Sequence, residues 1–517
     1  MYRRCFLVLS CLILVVTTEV FSQSLRPIEQ IDRVTREMEM LLSRNILDTI
    51  PLGQSFGMNR TLRKIYDKQS RDSASASEKQ LREMLTGEAF SAQVDISLGW
   101  AEDPSRNFQG NGLAYIDAVI SPLSQGRGGR RIKEGFSMVA EPSMGFAVGN
   151  WDFYKVVAVP IAKGQSSSQS IGIQEIWGEG PVGPLYMSVG RRPSVWGPSL
   201  KNGTLFSGQA RGLDQITVGS DGTFRLPWIL KKIGPTRLSV SLSRLEKDRN
   251  IPNSYLVGYR LNAKPWRSLE VGLLALVHSG GEGSPSASVW SRVLDHLIVV
   301  EPLTRLGTPE RQRLAISNRF AGLDFRWRLP WETAPQMYGS LVFDDLGKPD
   351  QLDRVFGQDA SYVIGMFVPH VLGNDSQYMR FEYRETGIRF YEHDPFRSGL
   401  TVDRMIIGDN LGPNGRGGYL EFGSNFGVRS QFNLELAWEE RSLDQYRVKE
   451  GFIFEKGTDK PEEIRFRIVG SWEEEMDLGP IVLGRIGYEK VVNLGAYEGA
   501  SHNNWLIEVR TIVPLAP

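Results

Sequence analysis

Two hydrophobic periods divide this chain. From about residue 24 to residue 86 apolar side chains recur at three- and four-residue steps, as at Ile28, Ile31, Val34, Met38 and Leu41-Leu42, with charged residues between them. That spacing predicts an amphipathic helix. Ile50-Pro51-Leu52-Gly53 breaks it, a second helical piece follows over about 60–69, and a third over about 77–85. Pieces this short bury little surface alone, so the pattern predicts a small helical bundle packed on a larger body.

After Glu88 the period falls to two. Val94, Ile96, Leu98 and Trp100 alternate with Gln93, Asp95, Ser97 and Gly99, which predicts a strand. The contrast sharpens further on. Leu323, Phe325, Trp327 and Leu329 interleave with Asp324, Arg326 and Arg328; Phe432, Leu434, Leu436 and Trp438 with Asn433, Glu435 and Glu439; Ile464, Phe466 and Ile468 with Arg465 and Arg467. Alternation alone fits a soluble sandwich, whose apolar faces meet in a dry core, and a membrane barrel, whose apolar face meets lipid.

The start of the chain helps to choose between them. Met1-Tyr2-Arg3-Arg4, the apolar run Cys5 to Thr17 and the small residue Ser22 before Gln23 read as a secretory signal peptide cut after Ser22. The run falls short of the ~20 residues of a spanning helix, and no other stretch reaches that length. Both cysteines, Cys5 and Cys11, lie in this segment, so the exported chain is expected to hold neither thiol nor disulfide. A mean hydropathy of −0.25 is too polar for a helical membrane bundle, while 54 glycines and 10% aromatics supply turns and interfacial girdles. Trp100, Trp266, Trp331, Trp438 and Trp505 recur near strand ends. Together these features predict an all-β transmembrane barrel.

With about 9–11 tilted residues per crossing, the barrel region holds about 16–18 antiparallel strands. The expected organisation is a signal peptide over 1–22, a helical periplasmic segment over 23–88 and an outer-membrane barrel over 89–517. Polar, charged inserts at 121–134, 279–313 and 344–360 are expected to form outer loops or to fill the lumen. Lys plus Arg and Asp plus Glu are each 60, and a net charge of zero offers no basic field for nucleic acid.

One stretch carries more than composition. Val189-Gly190-Arg191-Arg192-Pro193-Ser194-Val195-Trp196-Gly197-Pro198-Ser199 is followed by Gly203-Thr204-Leu205-Phe206-Ser207 and Arg211-Gly212-Leu213-Asp214-Gln215-Ile216. Further on come Phe325 through Tyr338 into Leu341-Val342-Phe343-Asp344-Asp345, and Phe381-Glu382-Tyr383 through Tyr391 to Ile407-Gly408-Asp409-Asn410-Leu411-Gly412-Pro413. In their order and spacing these motifs resemble the capsule-assembly Wzi family, from about residue 90 to the end. The resemblance implies an outer-membrane barrel with a periplasmic helical bundle that binds and helps attach capsular or exopolysaccharide, in the manner of a lectin. Its implied partners are that polysaccharide, outer-membrane lipid and polysaccharide-export machinery. The chain departs from many outer-membrane barrels in ending Val513-Pro514-Leu515-Ala516-Pro517, without a terminal aromatic residue.

Sugar recognition uses aromatic faces against rings and planar polar groups against hydroxyls and carboxylates. Arg191, Arg192 and Trp196 suit that chemistry, or else serve as rim charges and packing. Asp344, Asp345, Glu382 and Arg384 are weaker candidates, better suited to a lumen salt-bridge network that stiffens the barrel than to a ligand site. Asp344, Asp345, Asp350 and Asp353 lack the spacing of a calcium loop.

Enzyme motifs find no support. Gly53-Gln54-Ser55-Phe56-Gly57 has no strand before it, and Gly178-Glu179-Gly180-Pro181-Val182-Gly183 is followed by no helix, so a turn between strands is expected there. His278, His296, His370, His393 and His502 show no metal spacing, and His278-Ser279 opens a glycine-rich stretch read as a turn. No cofactor is expected. The leading expectation is a non-enzymatic polysaccharide-binding barrel; the alternative is a diffusion channel or polysaccharide-export porin.

Overall fold

A computed structural model describes residues 90–102, 106–109, 117–120 and, with short interruptions, 123–162, 172–296, 317–344 and 359–515. The signal segment, the helical segment over 23–88 and Asp345 lie outside the described residues, as do Gly53 to Gly57, Asp350 and Asp353.

Eighteen antiparallel strands close into a barrel. In chain order they are β1 (Phe90–Ala101), β2 (Gly135–Val148), β3 (Trp151–Ala162), β4 (Gly172–Val182), β5 (Leu185–Arg192), β6 (Leu213–Ser220), β7 (Pro235–Arg244), β8 (Tyr255–Trp266) and β9 (Leu269–Ser279). The second half comprises β10 (Ser317–Arg328), β11 (Gln336–Asp344), β12 (Ala360–Pro369), β13 (Gln377–Thr386), β14 (Gly415–Phe426), β15 (Ser430–Arg441), β16 (Glu463–Glu475), β17 (Ile481–Val492) and β18 (Ser501–Pro514). Each strand pairs with its neighbour in sequence, and β18 pairs with β1, Val513 opposite Val94, which leaves no free edge. The last strand runs from Ser501 to Pro514. Pro514 fits at its end, where a missing N–H interrupts no ladder.

The period of two decides which side each residue faces. Leu98, Trp100, Leu323, Trp327, Leu436, Phe466 and Ile468 are exposed on the outer wall, while Asp95, Asp324, Arg326, Glu439, Arg465 and Arg467 are buried inside. Apolar side chains outside and charges within are the reverse of a sandwich, and they answer to lipid outside and a polar lumen. Gly178 and Gly180 belong to β4, not to the expected turn, which is confined to Gly183-Pro184. A Cβ on Gly178 would meet the Phe153 ring at 2.8 Å, and one on Gly180 the Trp151 ring at 2.6 Å, so glycine there makes room for two neighbouring aromatics. His278 and Ser279 likewise end a strand rather than open a turn, because their backbones pair with Asn318 and Ser317 of β10.

At one end the strands are joined by short turns, as at 149–150, 183–184 and 267–268; at the other lie the inserts 102–134, 193–212, 280–316 and 387–414. Short turns mark the periplasmic end of an outer-membrane barrel and long connections the extracellular end.

Candidate functional site

Two of the long inserts fold inward instead of standing out in water. The segment 193–212 turns back on itself: the Trp196 N–H donates to the Phe206 carbonyl at 2.9 Å, and Val195 bridges Ser207. A Cβ on Gly203 would lie 2.1 Å from both the Phe206 and Trp196 carbonyl oxygens, so this turn closes only on glycine. Trp196 meets Phe206 edge-on at 4.6 Å, and its indole covers Gly258 on the inner wall, where an added Cβ would sit 2.6 Å away.

The second insert, 387–414, packs against the first. Ser207 donates through its backbone to the Ile407 carbonyl at 3.0 Å and through its hydroxyl to the Gly408 carbonyl. Phe390, Tyr391, Leu400, Ile406 and Ile407 join Trp196, Leu205 and Phe206 in one apolar cluster with wall residues such as Leu276, Phe320 and Val342. This core packs both inserts against the inner wall at the extracellular mouth, where they sit like a cork.

Tyr391 shows how tightly the cork is held. Its φ of +76° is strained for a bulky residue, and the surroundings fix it there. Its N–H donates to Asp344 at 3.0 Å, its hydroxyl donates to the Thr204 carbonyl at 2.5 Å, and the same oxygen accepts from the Asp409 N–H at 2.8 Å. A third connection, 245–254, clamps the outside: Arg249 donates to the carbonyls of Thr401 at 2.9 Å and Gly399 at 2.8 Å. Burial pushes the carboxyls of Glu246 and Asp409 above the usual carboxylate range, with Arg249 and Arg384 respectively pulling them back.

Below the cork the lumen is a lattice of paired charges. Arg384 donates to Glu382, and Glu382 also accepts from Tyr338 at 2.7 Å and from Ser199 of the first insert at 2.9 Å. Arg467 and Arg441 share Glu439 at 2.7 and 3.1 Å, Arg465 lies 3.1 Å from Glu489, and Arg260 lies 2.8 Å from Asp324. Arg510 donates to Asp95 at 2.8 Å across the seam between β18 and β1. The insert before β2 enters the same lattice, Arg127 reaching Glu508 at 2.5 Å and Arg130 reaching Glu141 at 2.7 Å. Buried charges persist when each is paired in this way.

The sequence-derived residues therefore divide. Trp196, Asp344, Glu382 and Arg384 come together as parts of the cork and its seat. Trp196 is only 7% exposed, so neither face of its ring is open to a sugar. Arg191 and Arg192, adjacent on β5, face opposite ways: Arg191 binds Asp214 at 2.8 Å near the outer rim, whereas Arg192 turns inward to Glu179, its guanidinium 4.6 Å from the Trp177 ring.

Sequence reasoning passed over two exposed aromatics at the extracellular end: Trp290 in the insert after β9, 70% exposed, and Tyr497 between β17 and β18, 74% exposed. The signal was weak in each case, an aromatic outside any alternating run. His278 hydrogen-bonds Ser254 at 2.9 Å, both sealed from solvent, under the Phe396 ring at 4.2 Å. That arrangement braces the mouth. Among the described residues no group of three or more His, Cys, Asp or Glu is placed to hold a metal ion.

The model of the family described as capsule assembly protein Wzi matches residues 44–505. The chain belongs to the Wzi capsule-assembly family. As a Wzi member it is an outer-membrane β-barrel. A Klebsiella pneumoniae protein, described as an uncharacterized 55.8 kDa protein in the cps region, is 26% identical over 223 residues. That match spans 41% of this chain and 42% of the relative. Among solved structures the fold is similar to that of Escherichia coli Wzi, with a TM-score of 0.67 at 15% identity over 94% of this chain and 98% of that one. Pseudomonas aeruginosa OccD3 (OpdP) is more distant, at a TM-score of 0.44 and 10% identity over 83% of this chain and 91% of its own.

Proposed function

We propose that this Wzi-family barrel is a surface attachment protein that binds capsular or exopolysaccharide at its extracellular end and catalyses no reaction. The corked mouth carries the reading: a barrel whose entrance is packed with Trp196, Phe206, Phe390 and Tyr391 presents a surface and not a path. Family membership agrees, and the Escherichia coli Wzi barrel is described as carbohydrate-binding and involved in group 1 capsule assembly.

In this reading Trp290 and Tyr497 offer aromatic faces to sugar rings, and Arg191 offers a guanidinium at the rim. Trp196, Asp344, Glu382 and Arg384 hold the two inserts that pack into the mouth, and Arg192 braces the wall. Outer-membrane lipid surrounds the barrel, and the segment over 23–88 is the part proposed to meet export machinery. Purified protein in detergent should retain host capsular polysaccharide on a column, and its bilayer recordings should be nearly silent. Steady ohmic conductance with no polysaccharide retention would instead establish the diffusion-channel alternative.

A further inference from the structure

The connection between β6 and β7 is unlike the other short turns at the periplasmic end. It runs over 221–234, pairs Phe224 and Arg225 with Thr236 and Pro235, and contains a single 3-10 helix, Trp228–Ile233. No residue of that helix is buried: Trp228 is 89% exposed, Ile229 75% and Leu230 49%. Gly234 fixes its exit, with a φ of +82° and so close to the end of β8 that a Cβ would lie 1.9 Å from the Lys264 carbonyl oxygen. The helix is thus pinned to the rim with its apolar side chains uncovered.

Two observations identify what covers them. First, the apolar outer band runs directly into this segment. By the alternation of β7, Thr236 falls on the side of the exposed Leu238, Val240 and Leu242 but is itself fully covered, its hydroxyl donating to the Gly234 carbonyl at 3.1 Å, while its partner Phe224 on the same side is exposed. Trp266, opposite Leu269, and Trp331, in the connection between β10 and β11, extend the same exposed aromatic line at this end. Second, the charge beside it is basic: Lys231 and Lys232 fill the last turn, Arg225 precedes the helix, and its first turn holds no acidic residue. Elsewhere on the same rim β16 ends in Glu473-Glu474-Glu475, so the basic character belongs to one arc.

We propose that Trp228–Ile233 is a membrane foot lying in the headgroup layer of the periplasmic leaflet, with Trp228, Ile229 and Leu230 at the acyl boundary and Lys231 and Lys232 on anionic phospholipid. An amphipathic segment with aromatic and aliphatic residues beside paired lysines suits that layer. The foot fixes the depth of one side of the barrel, independently of what the extracellular end binds.

Cysteine occurs only at positions 5 and 11, inside the expected leader, so Ile229→Cys gives the exported protein a single thiol for an environment-sensitive fluorophore. Asn150→Cys, in the turn between β2 and β3, is the control at the same end. Both labelled barrels are reconstituted in phosphatidylcholine vesicles with and without phosphatidylglycerol, and folding is checked by heat-modifiable migration. Shallow nitroxide lipid is expected to quench the label at 229 several-fold more than the label at 150, and aqueous iodide several-fold less. Phosphatidylglycerol should strengthen the nitroxide effect, and Lys231→Glu with Lys232→Glu should remove that gain. If iodide reaches position 229 as freely as position 150, the segment stands in water, open to a periplasmic protein, and the proposal fails. Quenching by lipid that ignores both phosphatidylglycerol and the lysine changes would overturn the anionic-lipid assignment.

Discussion

The Ser199 hydroxyl lies 2.9 Å from each carboxylate oxygen of Glu382, joining residues 183 positions apart in sequence. It ties the first mouth insert to the lumen wall at a carboxylate that also holds Tyr338 and Arg384. Position at the mouth and charge pairing in the lumen thus meet at one residue.

Glu382→Ala is expected to loosen the cork. It takes away the carboxylate that Arg384 binds directly, with Asp409 3.9 Å from the guanidinium and the Tyr419 ring 4.1 Å beneath it, and removing one partner of a buried pair costs about 3–5 kcal/mol. Ser199→Ala removes the hydroxyl that donates to Glu382 and accepts a long hydrogen bond from Arg384 at 3.4 Å, costing about 1 kcal/mol. In planar bilayers the Glu382→Ala barrel should show frequent openings, Ser199→Ala rare ones, and the native protein almost none. Three equally silent barrels would show that this contact does not hold the mouth shut.

Trp196 should behave as a core residue. Truncation to alanine empties the space between Phe206 and Gly258 and is expected to cost about 3–5 kcal/mol, with Trp196→Phe costing less. The measurement is the temperature at which the folded band disappears in heat-modifiable electrophoresis, together with protease cleavage within 387–414. Loss of polysaccharide binding at unchanged stability would assign Trp196 to the sugar instead.

The seam of the barrel offers a double-mutant cycle. Asp95→Ala or Arg510→Met alone should destabilise by about 3–5 kcal/mol, because each removes the directly bonded partner of a buried charge, whereas the two together should recover much of the loss. Equal and additive losses would mean that the pair is not coupled.

The barrel was readable from Leu323-Asp324-Phe325-Arg326-Trp327 and its counterparts because a strand in a membrane wall has two environments and a period of two addresses both. The same rule bears on the binding residues. Arg191 and Arg192 are consecutive on a strand, so they face opposite sides and could not form one cluster; that signal lay in the alternation itself. Trp196 was harder, since its burial depends on Phe206 and on an insert some two hundred residues away, and no local pattern encodes that packing. Tyr497 sits in a short connection where neither period applies, so nothing local distinguished it from an ordinary loop aromatic. Trp228 stood in the sequence beside Ile229, Leu230 and two lysines, but only the rim position of the helix gives that cluster a neighbour.

Tyr497→Ala and Trp290→Ala separate binding from stability. Both side chains are exposed, so each change should alter stability by no more than about 0.5 kcal/mol. Each should still weaken retention of the barrel on immobilised host polysaccharide, and the double variant more than either. Unchanged retention in the double variant would move the sugar surface to the rim charges around Arg191.

The most direct test of polysaccharide attachment is to delete the gene in its native host and measure cell-bound against shed polysaccharide, with the native gene restored as a control. The expected result is undiminished total polysaccharide, with a larger share in the medium and retention regained on complementation. An unchanged ratio of bound to shed polysaccharide would contradict the attachment function.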